Sequence, residues 1–287
     1  MGPARLILAC RSEARGLAAI QHLKESTGYD KAELMLVELS QFSSVKALAD
    51  KVEAEVENLD LLVLNAAIIA TSFEVTEDGY EKSLQVNNLS LDLISLRLLP
   101  KMLETAAIRT ETPRIVVVSS EMHQFGDIPD LLLNDPSILE HWSSEQHNRS
   151  FTQHALRPCP LRSPPRTSPT VIVNGVNPGF CVSELQRDVH GVMALIMSII
   201  HHLVGRTSEQ GARQVVWGAL GGAEDEEKLH GAYVNMASVM APGDFVEIEN
   251  GRVFRDHLWR ELVQALGKVD EKVLIITKEH LTYPEEQ

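Results

Sequence analysis

Six short runs rich in Val, Ile and Leu recur along the chain (RLILAC, ELMLVEL, LDLLVLNAA, RIVVVSS, TVIVNGVNP and GAYVNM), and helical patterns separate them. Each run is nearly continuous in apolar residues rather than alternating, the signature of parallel strands covered by helices on both faces. Between the first two runs, Ser12 is placed to cap a helix carrying Leu17, Ile20 and Leu23, with Gly28 beyond its end. After the second run, Ser43 or Ser44 precedes Val45, Leu48, Val52 and Val56, which fall at helical spacing. Tyr80 to Leu103, Thr207 to Leu220 and Asp256 to Leu266 complete the helical set. Strands alternating with helices predict an α/β fold, a doubly wound parallel sheet joined by right-handed crossovers.

The length and the 44% hydrophobic content suit one large domain, residues 1–287. A formal charge of −14 argues against a nucleic-acid partner, because phosphate binding needs clustered Lys and Arg. Cys10, Cys159 and Cys181 have neither disulfide nor zinc-site spacing, so no metal is expected and a reducing, cytoplasmic location is. The opening MGPARLILACR lacks the layout of a signal peptide. Val189 to Val204 is apolar but shorter than a membrane span and carries His190, His201 and His202. It is expected to be a helix buried on one side or lying over a pocket, within a substrate lid at 182–206.

In such sheets ligands bind beyond the carboxyl ends of the strands, so the residues that follow each run are the informative ones. Arg11 ends the first, where a guanidinium can grip a ribose 2′-phosphate. Asn65, Ala66 and Ala67 end the third and allow close approach of a flat ligand. Ser119 and Ser120 end the fourth, with hydroxyls able to donate to a carbonyl. Pro178 and Gly179 form a turn after the fifth.

Taken in order, RLILACR, VELS, LVLNAA, YEKSLQVNNLSLDLISLRLLPKM, RIVVVSSEMH, VIVNGVNPGFC, GARQVVWGAL and HGAYVNMASVMAPGDFV resemble the short-chain dehydrogenase/reductase family. Within it they are most similar to fungal members related to the retinol-dehydrogenase and WW-domain-oxidoreductase branch. The resemblance implies a Rossmann-like sheet, NADP(H) as cofactor, and ketone/alcohol interconversion on a small-molecule carbonyl or alcohol substrate, with fungal secondary metabolism as one setting. By position it implies that Arg11 recognises the NADP phosphate and that Glu38 and Leu39 lie beside the adenine. Asn65 and Ala66 occupy an Asn-Ala-Gly site in which Ala67 replaces glycine. Asn87 matches the helix asparagine that supports a proton relay. Ser120 matches the catalytic serine, with Ser119 the adjacent alternative, and Pro178 and Gly179 flank the nicotinamide.

Two departures bear on activity. No GxxxGxG run occurs, and the matching region opens at the family's second strand, so a sheet lacking the first strand and first helix is expected, with two strand edges open to homo- or hetero-oligomerisation. The family's catalytic Tyr and Lys stand four residues apart, one helical turn. None of Tyr29, Tyr80, Tyr233 and Tyr283 has Lys at that distance. The corresponding place holds an irregular stretch at 148–169 with Pro158, Pro160, Pro164 and Pro165, which cannot continue a helix. There Ser150 or Phe151 falls near the tyrosine's position and His154 or Ala155 near the lysine's. Neither His154 nor His123 is expected to be held firmly enough to replace the acid. The sequence therefore predicts an oxidoreductase by descent with impaired catalysis, and as the alternative a non-catalytic binding or regulatory partner of a complete homologue.

Overall fold

The computed structural model describes residues 2–70, 72–121, 124, 132, 135–145, 171–182, 205–224 and 226–281, and elements are numbered over these. The order is β1 (Leu6–Cys10), α1 (Glu13–Thr27), β2 (Ala32–Leu36), α2 (Phe42–Glu55), β3 (Leu61–Leu64), α3 (Lys82–Leu84), a π-helical turn (Gln85–Leu89), α4 (Ser90–Ala106), β4 (Arg114–Val118), α5 (Ile138–Trp142), β5 (Ile172–Val176), α6 (Ser208–Leu220), α7 (Glu226–Leu229), β6 (Tyr233–Asn235), β7 (Ser238–Met240), α8 (Asp244–Glu247), α9 (Glu249–Val269) and α10 (Lys272–His280). The irregular stretch at 148–169 and nearly all of the 182–206 lid lie outside the described residues.

The fold is α/β with a parallel, Rossmann-like arrangement. β1 pairs β2 in one sheet, and β3-β4-β5-β6-β7 form another. All pairings are parallel except the last, in which β7 turns back on β6. That hairpin carries no Gly, Asn or Asp at its tip. Met236 (φ 51°) and Ala237 (φ 54°) adopt the left-handed conformation instead, and the Ala237 N–H donates to Gln214 Oε1 at 2.7 Å. Side-chain anchoring from α6 supplies what the turn residues do not.

Burial alternates across β4 and β5 as strands sandwiched between helices require. Ile115, Val117 and Val173 join the core formed with α2, α4, α9 and α10. Val116, Ile172 and Val176 join a second core with Ala219 of α6, Leu229 of α7 and Val234. β1 and β2 are less well covered: Leu36 is 51% exposed, and Leu17 on the neighbouring helix is 53% exposed. The expectation that every strand is buried on both faces therefore holds for β4 and β5 and fails for β1 and β2.

Local signals set most helix ends. Ser12 Oγ accepts from the Arg15 N–H, and Gly28 closes α1 in the left-handed conformation (φ 73°). Thr207 and Gln210 make a reciprocal capping box at α6. α2 departs from expectation, because neither Ser43 nor Ser44 caps it. Gln41 precedes the helix without a side-chain bond. The Phe42 N–H donates instead to Asp78 Oδ2 (2.8 Å), and Ser44 Oγ accepts from the Glu38 N–H (2.9 Å).

One ion cluster ties the C-terminal helices to this body. Arg97 of α4 has a side chain only 1% exposed, yet it reaches Asp50 Oδ1 (2.6 Å) and Glu53 Oε1 (3.0 Å) on α2, and Asp270 between α9 and α10. Lys272 adds contacts to Asp50 (3.3 Å) and Glu53 (3.2 Å). The hydrogen bond from Arg97 is the main cause holding the Asp50 carboxyl below its ordinary range. Breaking a buried pair strands the remaining charges. Arg97→Met is therefore expected to lower stability by about 3 kcal/mol at neutral pH, read as a shift of the urea midpoint. Asp50 is lowered in the folded state, so its share is present above the unfolded value of about 3.9 and is lost as pH falls through the folded value. Because Asp50 is largely exposed its share is the smaller part, and the gap between wild type and variant should narrow only modestly near pH 3.

Candidate active site

Parallel register brings three strand ends together. Leu64 lies beside Val117, Val118 lies beside Val176, and the Ser119 N–H extends the ladder to the Val176 carbonyl at 2.8 Å. The residues that leave β3, β4 and β5 thus emerge side by side at the strand spacing of about 5 Å. These are Asn65, Ala66 and Ala67; Ser119 and Ser120; and Asn177, Pro178 and Gly179.

Asn65 and Ala66 are exposed, leaving their backbone open to a ligand. The loop they begin is fastened by Asn87, whose Oδ1 accepts from the Ile68 N–H (2.8 Å) and whose Nδ2 donates to the Ile68 carbonyl (2.9 Å). Asn87 is 3% exposed and lies in the π-helical turn, where the widened backbone turns its amide towards the loop. Its observed work is to hold the β3 loop. Leu39 packs its side chain against the core, and its carbonyl accepts from Ser90 Oγ at 2.6 Å, so it offers little open surface. Ser120 is half-buried.

The β5 turn is built around Asn177, a residue that the strand-end pattern passed over. Its Oδ1 accepts from the Gly179 N–H at 3.0 Å, closing an Asx turn across Pro178. Its Nδ2 donates to Asn235 Oδ1 at 3.3 Å on β6. Gly179 is left-handed (φ 83°), and a Cβ there would come within 2.6 Å of Arg206 Nη1. The Arg206 guanidinium in turn donates to the Pro178 carbonyl at 3.4 Å. An Asn before Pro-Gly is a legible turn signal, whereas nothing in sequence announced Arg206, which reaches the turn through a bridge between its backbone and Cys181. Burial pushes the Cys181 thiol up, with the Arg206 charge opposing.

Tyr233 of β6 pairs with Gly175 on the same edge. Burial pushes its phenol up to about 12; the Glu121 charge adds to this and a hydrogen bond with Asn177 opposes it. A phenol held that high is a poor proton donor at neutral pH.

Arg11 and Glu38 meet at the ends of β1 and β2, with Arg11 Nε 3.7 Å from Glu38 Oε2. Among the described residues no hydrogen bond engages the Arg11 terminal nitrogens, and its side chain is 59% exposed, so its two-pronged end is open to a bidentate anion. β1 and β3 are not paired with each other, so Arg11 and Glu38 stand on a different sheet from the Ser119–Gly179 edge. His123, Ser150, Phe151, His154 and Ala155 lie outside the described residues.

Comparison with known proteins agrees with this geometry. A family model described as short chain dehydrogenase matches residues 2–128. A short-chain dehydrogenase/reductase of Aspergillus flavipes is 28% identical over 282 residues, covering 95% of this chain and 81% of that protein. The WW domain-containing oxidoreductase of Gallus gallus is 35% identical over 240 residues, covering 81% of this chain and 55% of that protein. Among solved structures, NADPH-bound carbonyl reductase from chicken fatty liver superposes with a TM-score of 0.53 at 19% identity, covering 83% of this chain and 88% of that one. An alcohol dehydrogenase from Thermococcus sibiricus complexed with 5-hydroxy-NADP gives a TM-score of 0.52 at 15% identity, again covering 83% and 88%. At those identities the structures speak for the fold alone. Matched by the family model over residues 2–128, and by dehydrogenase relatives along nearly its whole length, the chain is similar to members of the short-chain dehydrogenase/reductase family.

Proposed function

We propose that the chain is a single-domain NADP(H)-binding oxidoreductase of the ketone/alcohol type whose own turnover is impaired. The carrying observation is the juxtaposition of the open Asn65–Ala66 backbone, Ser119 and Ser120, and the Asn177–Gly179 turn on one sheet edge, together with the open guanidinium of Arg11 at the end of β1 in the other sheet. The solved relatives described with NADPH and 5-hydroxy-NADP support a nicotinamide cofactor. The dinucleotide, when bound, supplies the hydride of the family's reaction.

The residues present fit the two ends of such a cofactor. Arg11 would take the 2′-phosphate, with Glu38 and the Leu39 backbone beside the adenine. Asn65 and Ala66 let the ligand lie against the backbone. Pro178 and Gly179 would flank the nicotinamide, on a turn held rigid by Asn177 and Arg206. The Ser120 hydroxyl, or that of Ser119, would orient the substrate carbonyl by donating a hydrogen bond. Asn87 would keep the β3 loop in place and so preserve the family's proton path. Proton delivery is the weak step: the chain has no Tyr four residues before Lys, and the Tyr233 phenol sits at about 12.

The lid region is part of this reading as the cover of a small-molecule substrate site. The fungal relatives make a fungal secondary-metabolite role a natural setting. A cytoplasmic location rests on the unpaired cysteine spacing; among the described residues no helix is long and apolar enough to cross a membrane. A second reading, a non-catalytic partner of a complete homologue, draws on the one edge each of β1 and β3 that pairs with no strand among the described residues.

NADPH is expected to quench the fluorescence of Trp217 and the other tryptophans saturably, while carbonyl-dependent NADPH oxidation by the purified chain stays near background. Rapid turnover would refute the impairment, and absence of binding would refute the cofactor assignment. Gly179→Ala forces Cβ into the left-handed region at a cost of about 1 kcal/mol and displaces Arg206 from the turn. It is expected to weaken NADPH binding severalfold in the same titration.

A further inference from the structure

We infer that Glu38 is a specificity-determining counter-ion that limits how strongly this chain favours a 2′-phosphorylated nucleotide over its unphosphorylated counterpart. The inference rests on the proposed cofactor reading and deepens it.

The Glu38 carboxylate is fixed independently of Arg11. Its Oε1 accepts from the Ser40 N–H at 3.0 Å and from Ser40 Oγ at 2.8 Å, while its own N–H donates to Ser44 Oγ at 2.9 Å. The negative charge therefore stays in place whether or not an anion reaches Arg11. Glu38 Oε2 faces Arg11 Nε at 3.7 Å, close enough for charge attraction but too long for a hydrogen bond. Among the described residues no hydrogen bond engages the terminal nitrogens.

Two effects of opposite sign follow. Glu38 orients the guanidinium, which would help a phosphate, and its charge neutralises Arg11 and repels a phosphate dianion, which would hinder one. Distance decides between them. Orientation needs a directional bond, and 3.7 Å does not provide one; charge needs only proximity, and it acts at this separation without any directional requirement. With Arg11 59% exposed the net effect is modest. The carboxylate thus weakens a site that the arginine creates, leaving a preference for the 2′-phosphate smaller than an unopposed arginine would give.

Glu38→Gln tests this with little disturbance, since the amide oxygen can still accept from Ser40. Calorimetric titrations of the full chain with 2′,5′-ADP and with 5′-AMP isolate the phosphate without requiring turnover. Wild type should bind 2′,5′-ADP more tightly, and Glu38→Gln should raise that preference about fivefold, changing 2′,5′-ADP binding more than 5′-AMP binding. Raising the salt should shrink the gain, as expected of an exposed charge. Arg11→Gln should abolish the preference. An unchanged or reduced preference in Glu38→Gln, with Arg11→Gln behaving as stated, overturns the role of Glu38 alone. Failure of either nucleotide to bind, or a preference unaffected by Arg11→Gln, overturns the cofactor reading and this inference with it.

Discussion

Burial of β4 and β5 on both faces is the constraint from which the rest of the molecule follows. Ile115 and Val117 face one helical layer while Val116 faces the other, so neither side can be left to water. Parallel strands covered in this way need crossovers, and crossovers carry every strand in the same direction. The carboxyl ends of β3, β4 and β5 must then open onto one edge. Site geometry is therefore a by-product of core packing. The Ser119 N–H bonds to the Val176 carbonyl because the apolar residues before both of them are in register.

The helical layer on the first face is itself secured by charge. Arg97 is buried on α4, which apolar packing alone would not favour, and it is tolerable because Asp50, Glu53 and Asp270 surround it. Those carboxylates come from α2 and from the junction of α9 and α10. One guanidinium thus links the crossover helix after β2 to the C-terminal pair that closes the core with Leu262, Leu266 and Ile276. Asn87 lies on the same helical segment three turns earlier, so fixing α4 also fixes the residue that clamps the β3 loop.

Sequence made legible what depends on short-range pattern. Ser12 and Gly28 bounded α1, Thr207 opened α6, and the apolar runs located β1 to β6. It did not disclose what is set by distant partners. The first amide of α2 is capped by Asp78, with which Phe42 shares no local pattern. β7 depends on a hairpin whose tip residues, Met236 and Ala237, are of unusual identity for the left-handed conformation they adopt, and Gln214 on α6 holds it. At the site, Pro178-Gly179 was readable as a turn, but the Arg206 side chain filling the space over Gly179 was not, since it arrives from across a bridge. The exposure of Leu36 and Leu17 shows the converse limit: an apolar run reports capacity for burial, and the neighbours decide whether burial occurs.

The site therefore divides by what holds each part. The β5 turn and the β3 loop rest on backbone ladders and on buried Asn177 and Asn87, so their shape is inherited from the core. Proton transfer asks more, because it needs one acid of suitable pKa at one position, and no amount of correct packing supplies it. Tyr233 illustrates the difference. Core packing brings a phenol to the same sheet edge, and the same burial that fixes it there pushes it up to about 12. Binding surfaces made of backbone are robust to loss of a catalytic group; the reaction is not. Packing can therefore preserve the geometry of a strand-end site whether or not an acid stands in it, whereas the proposed reaction depends on one well-placed proton donor.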